Sequence, residues 1–234
     1  MFTLDSDFLE AVLRGTLPSY QATSLEDQNL GYGFLFYAFA RLIRPATVVV
    51  LGSKAGFSAV LFAAALRDNS GTTIAEVACY STILARPGAK GMVHLVDPSY
   101  SEKRGDPNHW HGVGFWNDAQ SVQKHWQRFG ISDYVRHYKM TSQEFLNDCA
   151  CPSVVDLLYI DGDHSYEGIR HDFDGFYPLL RAGAIVLAHD VDPALKEREP
   201  ETGGYEALRD LDRAKFEVCR LPIFPGMAIA RKRG

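Results

Sequence analysis

Cysteine is scarce in this chain of 234 residues: Cys79, Cys149, Cys151 and Cys219 are the only four, and only Cys149 and Cys151 lie close together. Structural zinc normally draws on paired Cys or His clusters, so this spacing predicts free thiols and not a zinc site. Clustered positive charge is also missing. Lys and Arg total 24 against 29 Asp and Glu, a formal charge of −5 with no basic arm. A nucleic acid backbone is gripped by clustered Lys and Arg, so no nucleic acid partner is expected. Long apolar runs are absent too. Phe34 to Ala40, Ala59 to Leu66 and Ala182 to Ala188 fall well short of the roughly 18 residues that span a bilayer, so no membrane partner is expected. The first residues, Met1 to Asp7, lack the basic and apolar regions of a secretory signal, which predicts a cytoplasmic chain. Finally, there is no Gly-x-Gly-x-x-Gly, which disfavours a dinucleotide cofactor and leaves an NAD-dependent oxidoreductase as an alternative only.

What is present is 46% apolar and 23% charged, the balance of one large α/β domain. The first 44 residues read as helical, with a Leu9, Val12, Leu13 face and a dense aromatic stretch containing Tyr32, Phe34, Phe36, Tyr37 and Phe39. They form a lid or an interface element, through which a homo-oligomer could assemble. From Thr47 the texture changes. Thr47 to Leu51 is a β-branched run of the kind buried on both faces of a parallel sheet. A turn with Gly52 and Gly56 then leads into the apolar helix Ala59 to Leu66. Further strands are expected over Gly91–Asp97, Tyr134–Met140, Val155–Asp161 and Ala184–Asp190. Between the last two, Ile169, Phe173, Phe176, Leu179 and Leu180 recur at helical spacing, and Arg181-Ala182-Gly183 is expected to stop that helix. Phe216–Leu221 and Met227–Arg231 flank a Pro- and Gly-containing turn and predict an antiparallel closing pair.

Three strands end in an acid: Asp97, Asp161 and Asp190. Ligands of open parallel sheets sit beyond the carboxyl ends of the strands, so these carboxylates point to one crevice. The turn at Gly52, with Ser53 and Ser58 nearby, could offer backbone N–H groups to a carboxylate such as that of a methionyl moiety, or be a plain strand-to-helix turn. Asp97 could accept two hydrogen bonds from a ribose diol, or cap a helix. His109 to Trp116 joins two histidines and two indoles in a Gly-punctuated loop, which could cover an acceptor or pack on its own domain.

The segments Val48 to Val60, Asp97, Thr141-Ser142-Gln143-Glu144, Ile160 to Glu167 and Ala188 to Val191, in that order, resemble a class I S-adenosylmethionine-dependent methyltransferase. Tyr159 to Asp190 is especially similar to small-molecule O-methyltransferases of the macrocin O-methyltransferase and cephalosporin hydroxylase-like family, and more distantly to catechol O-methyltransferase. The likeness covers about residues 45 to 231. It implies a Rossmann-like fold: a mostly parallel seven-stranded sheet, helices on both faces and an antiparallel C-terminal hairpin. The cofactor domain would then be residues 45–234, the acceptor a hydroxyl on a small metabolite such as a sugar, phenol or natural product, and the donor S-adenosylmethionine.

The same resemblance implies residue roles. Gly52, Ser53, Gly56 and Ser58 would line the methionine end, Asp97 would hold the ribose, Ser142 and Gln143 would border the adenine, and Asp161 would join them. Metal-dependent relatives hold magnesium with residues matching Asp161, His189 and Asp190, although an imidazole suits other divalent metals better. His164, three residues after Asp161, falls where the catechol enzymes carry their catalytic Lys, and an ordinary imidazole would suit proton removal near neutrality. Asp161 is the other candidate base, and a helix cap is the alternative for Asp163-His164-Ser165. Two features depart from the family. Val50 stands where relatives often carry an acid near the cofactor's amino group, which leaves open a binding protein without turnover, and Asp68 to Lys90 is a long insertion. Residues 151–200 hold ten acidic and four basic side chains, so the acidity coincides with the expected site. Glu197 and Glu199 are expected on the solvated surface.

Overall fold

In the computed structural model, residues 4–16, 18, 21–70, 90–99 and 115–234 are described. Most of the 68–90 insertion and the loop residues His109 to Gly114 lie outside them, as does Cys79. Seven strands form one sheet: β1 (Thr47–Leu51), β2 (Met92–Val96), β3 (Val135–Tyr138), β4 (Val155–Ile160), β5 (Leu180–His189), β6 (Phe216–Leu221) and β7 (Met227–Lys232). Their order is β3-β2-β1-β4-β5-β7-β6. The first five are parallel, and β7 runs antiparallel between β5 and β6. The expected closing hairpin is thus present, with β7 inserted next to β5.

The β-branched run of β1 lies at the centre and is apolar on both faces because both are covered. Val48 and Val50 join a core with α1 (Ser6–Gly15), α2 (Gly33–Ile43), α3 (Phe57–Ser70) and α4 (Ala119–Arg128). Val49 and Leu51 join the opposite core with α5 (Ser142–Leu146), α6 (Tyr166–Phe176) and α7 (Gly204–Arg209). The N-terminal aromatics divide: Tyr32, Phe36 and Tyr37 are buried in the first core, whereas Phe34 is exposed. No helix among the described residues is long and apolar enough to cross a membrane. Cys149, Cys151 and Cys219 are free.

The expected helix after β4 is shorter than its apolar spacing suggests. α6 ends at Phe176, and β5 already begins at Leu180, so Leu180 and Arg181-Ala182-Gly183 belong to a strand. Pro178 cannot continue the helix ladder. Asp156, buried on β4, accepts the amides of Ala46 and Thr47 through Oδ2 and pairs with Arg181 Nη2 at 2.7 Å through Oδ1. That clamp draws the start of β5 onto the sheet. The ladder jumps from Val155–Leu180 to Leu157–Ile185, an irregularity that Gly183 accommodates with φ of +79°.

Register places the site. Leu51 is level with Val96 and with Ile160, and Ile160 is level with Ala188. The next residue along each strand is therefore Gly52, Asp97, Asp161 or His189, in one row. The chain reverses its direction across the sheet between β1 and β4, so this row lies at the topological switch point.

Candidate active site

At the β1 and β2 ends the crevice is made largely of backbone. Gly52 has φ of +74°, and a Cβ there would stand 2.2 Å from the Asp161 carbonyl oxygen, so only glycine lets the turn cross β4. The turn is pinned on both sides: Gly52 N donates to Val96 O and Asp161 N donates to Leu51 O, each at 2.9 Å. Asp97 is buried, with Oδ2 accepting from Ser53 N at 3.1 Å and Oδ1 from Ser99 N at 2.8 Å. Burial pushes its carboxyl above the usual range, opposed by the Ser99 and Ser53 amides. On the far side, Thr141 and Glu144 form a reciprocal capping box that fixes the start of α5 and so presents Ser142 and Gln143.

A cavity of about 480 Å³ joins these pieces. Of the residues expected at the cofactor, Gly52, Ser53, Asp97, Ser142, Gln143 and Asp161 line it, together with His164. Gly56 and Ser58 are placed behind this wall. The Ser58 hydroxyl is buried, 3.2 Å from that of Ser53. Gly56 backs onto an aromatic cluster, where a Cβ would come within 3.0 Å of Trp116 and 3.2 Å of His125 Nε2. Glu199, expected on the solvated surface, instead lines the cavity; Glu197 is exposed.

At the β4 and β5 ends four ionisable side chains converge. His164 Nδ1 lies 3.0 Å from Asp190 Oδ2, and its Nε2 lies 3.6 Å from Asp161 Oδ1. His189 Nδ1 stands 3.1 Å from Asp190 Oδ1 and 3.2 Å from Asp161 Oδ1, without hydrogen-bond geometry to either. The Tyr32 ring meets the His189 ring edge-on. Helix capping falls to Ser165, which accepts from Gly168 N at 3.0 Å, so His164 is left facing the carboxylates. Asp190 has φ of +57°, an uncommon backbone for a residue other than glycine and one that Asp tolerates.

The methyltransferase domain family matches residues 49–191, most of this sheet and both halves of the crevice. The chain belongs to that family. Its fold is also that of class I S-adenosylmethionine-dependent methyltransferases. The O-methyltransferase TomG of Streptomyces achromogenes, involved in tomaymycin synthesis and solved with S-adenosylmethionine, is similar over 98% of this chain and 91% of its own, with 16% identity and a TM-score of 0.61. An O-methyltransferase of Bacillus cereus, solved with S-adenosylhomocysteine, is similar over 98% and 92%, with 15% identity and a TM-score of 0.62. The uncharacterized protein y4gI of Sinorhizobium fredii is 27% identical over 150 residues, 64% of this chain and 14% of that protein. The chain thus spans about a seventh of that curated relative's length, and 34% of a second, the uncharacterized protein R132 of Acanthamoeba polyphaga mimivirus.

Electrostatics in this crevice differ from the expectation of an ordinary imidazole. Burial disfavours charge on His164, but the carboxylates of Asp190 and Asp161 outweigh it and raise its pKa to about 9. His189 behaves alike and is raised to about 10 by the same two carboxylates against burial. Asp161 is lowered to about 2, because His189 and His164 together overcome its burial. In the ligand-free chain both rings hold their protons at neutral pH, so His164 is not a free base in that state.

A divalent cation would replace that proton charge. Among the described residues, donor atoms of Asp161, His164 and Asp190 lie within 4.8 Å of one another. The geometric trio therefore takes His164 where the sequence reading placed His189, though His189 stands beside it. Both His189 ring nitrogens and Asp190 Oδ1 are buried without a hydrogen-bond partner, and a cation would satisfy His189 Nδ1 and Asp190 Oδ1. Two carboxylates with imidazoles suit zinc, iron, manganese or nickel better than magnesium.

Sequence reasoning missed two neighbours. Tyr159 donates its hydroxyl to Asp161 Oδ2 at 3.0 Å, and Gln21 approaches both. A hydroxyl inside the otherwise apolar run Leu157–Ile160 was a readable signal for Tyr159. An isolated Gln in an irregular segment offers none.

Proposed function

We propose that this chain transfers the methyl group of S-adenosylmethionine to a hydroxyl of a small metabolite such as a sugar, phenol or natural product. The observation that carries the reading is the level row of strand ends, which faces the Gly52 turn, the Asp97 carboxylate, Asp161 and His164 onto one crevice, with His189 and Asp190 buried behind. Gly52 and Ser53 would receive the methionyl end, with Gly56 and Ser58 shaping the turn from behind. Asp97 would take the ribose hydroxyls on its remaining lone pairs, and Ser142 with Gln143 would border the adenine. Residues 45–234 form the cofactor domain, with residues 1–44 as its N-terminal cover. The exposed stripe of Phe34, Ala38 and Leu42 on α2 is the surface that would meet a second copy. Free Cys149 and Cys219 suit a reducing cytoplasm.

The bound cofactor supplies the electrophilic methyl group, so the chain must orient the acceptor, exclude water and take a proton. His164 is the group placed to take it, oriented by Asp190 and partly screened from solvent. Asp161 holds His164 from the other side and has Oδ2 occupied by Tyr159, which makes it the poorer base. Asp161, Asp190 and His189 would hold a divalent cation, whose positive charge would assist an acceptor oxygen and favour the neutral imidazole of His164, left off the cation as the base.

Titration calorimetry on chelator-treated, ligand-free protein tests the reading. S-adenosylhomocysteine should bind with or without added manganese or zinc, and transfer of labelled methyl groups to hydroxylated acceptors should follow. Binding of neither S-adenosylmethionine nor S-adenosylhomocysteine would sink it.

A further inference from the structure

α6 carries one acid into the interior. Asp172 is only 2% exposed, yet it lines the cavity alongside Ser142 and Gln143 of α5. No basic group among the described residues acts on it. The ionisable side chains that share its cavity are Asp163 from the turn after β4, Glu167 and His171 of α6, Glu199 and Glu201 from the stretch before α7, and Lys54 of the Gly52 turn, with Asp97, Asp161 and His164 at the strand ends. Those of the helices packed on α6 are engaged elsewhere: Glu144 of α5 with Thr141, and Glu206 and Arg209 of α7 with Lys196 and Asp210.

Two neighbours decide the state of this carboxyl. Asp163 folds onto the first turn of α6, where it accepts from Ser165 N at 2.9 Å and where a Cβ on Gly168 would fall 2.3 Å from its Cγ. Gly168 is one helical turn before Asp172, so the Asp163 charge stands close above it. Burial pushes the Asp172 carboxyl up to about 7, against a hydrogen bond from the Ser142 side chain and with the Asp163 charge adding to the rise. Oδ1 is buried without a hydrogen-bond partner among the described residues, so the bond from Ser142 falls on Oδ2.

A hydroxyl has one proton and two lone pairs, whereas a carboxylate only accepts. With its proton given to Asp172, Ser142 shows the cavity lone pairs alone. A protonated Asp172 can donate to Ser142 in turn, and the hydroxyl proton is then free to swing into the cavity. The same wall is thus an acceptor in one state and a donor in the other. Resting on the cofactor reading above, in which Ser142 borders the adenine, we propose that Asp172 is a positioning residue that sets base specificity. As a carboxylate it holds Ser142 as an acceptor for the 6-amino group of adenine; as an acid it lets Ser142 donate to a 6-oxo base.

The experiment measures, by titration calorimetry at pH 5.5 and pH 8, the ratio of affinities for S-adenosylhomocysteine and S-inosylhomocysteine, which differ in the base edge alone. Groups elsewhere in the cavity titrate alike for both ligands and cancel in the ratio. The ionised form is the one that favours the amino group, so the preference for S-adenosylhomocysteine should grow as pH rises through about 7. In the wild type it should be about tenfold larger at pH 8 than at pH 5.5, the scale of one buried polar group losing its partner. Asp172→Asn, whose amide both accepts from and donates to Ser142, should hold the preference within about twofold across that range, and so should Ser142→Ala. A wild-type ratio that does not move with pH would overturn the proposal, as would the full wild-type swing in Asp172→Asn or Ser142→Ala. Wild-type protein that binds neither ligand at either pH would overturn the cofactor reading itself, and this inference with it.

Discussion

At the β1 and β2 ends the crevice is held by main-chain hydrogen bonds, a glycine with no room for a side chain, and a carboxylate already tied to two amides. At the β4 and β5 ends it is held by four side chains whose charges balance one another and whose buried atoms are not all paired. The first half has its shape before any ligand arrives. The second half is in electrostatic balance only through protons that a cation or substrate would displace. The half proposed to bind and the half proposed to react thus share one row of strand ends while differing in what fixes them.

Removing a group from the reacting half tests the contrast most severely. His164→Ala should lower methyl transfer by about 10²–10⁴, the usual contribution of a positioned acid or base, while the affinity for S-adenosylhomocysteine stays within about threefold. Unimpaired transfer with an identified acceptor would remove His164 from the reaction. In the binding half the sensitive element is backbone. Gly52→Ala places a methyl group against the Asp161 carbonyl at a positive φ and should destabilise the fold by about 3 kcal/mol or more. Gly162→Ala, where a Cβ would have 3.6 Å to its nearest neighbour, should cost less than about 1 kcal/mol in denaturant titrations. Similar losses for both variants would erase the distinction between the two glycines.

Acidity separates the halves more gently. Both imidazoles hold their protons more tightly in the folded, ligand-free chain, so the stability they confer is complete below about pH 6.5 and is lost as pH rises through about 9 to 10. Asp161 acts in the opposite sense: its contribution is present above about pH 4 and is lost as pH falls toward 2. Thermal melts between pH 6 and pH 10 should therefore fall by roughly 4–8 °C, equivalent to about 2 kcal/mol. His164→Gln should flatten part of that slope, and a flat wild-type profile would break the picture of a charged quartet. The smallest effect is expected at Asp97, the carboxylate proposed to meet the ribose. Asp97→Asn should weaken S-adenosylhomocysteine and adenosine alike by about tenfold, because the contact concerns the part they share.

Sequence legibility follows the same division. The β-branched run of Thr47–Leu51, the Gly-containing turn and the acids ending the strands announced the sheet and the crevice, because parallel strands buried on both faces need such runs. The end of α6 was misjudged because Leu179 and Leu180 continue an apolar spacing that Pro178 and the Asp156–Arg181 clamp interrupt. Apolar period alone cannot register a proline or a distant ion pair. His164 was found as a lone residue in a resembling motif, but its altered proton affinity arises from Asp190, 26 positions away in sequence and brought near by the register of β4 with β5. Gln21 and the aromatic wall behind Gly56 were illegible for the same reason: their meaning lies wholly in what long-range folding sets beside them.

The helix that leaves the Gly52 turn is buried on every side from Phe57 to Leu66, enclosed between the sheet and α2. Such a helix has no face from which fraying can begin, so local opening of the molecule must start elsewhere. In a transiently loosened chain the turn at Gly52 would therefore keep its shape while the side chains at the β4 and β5 ends lost theirs.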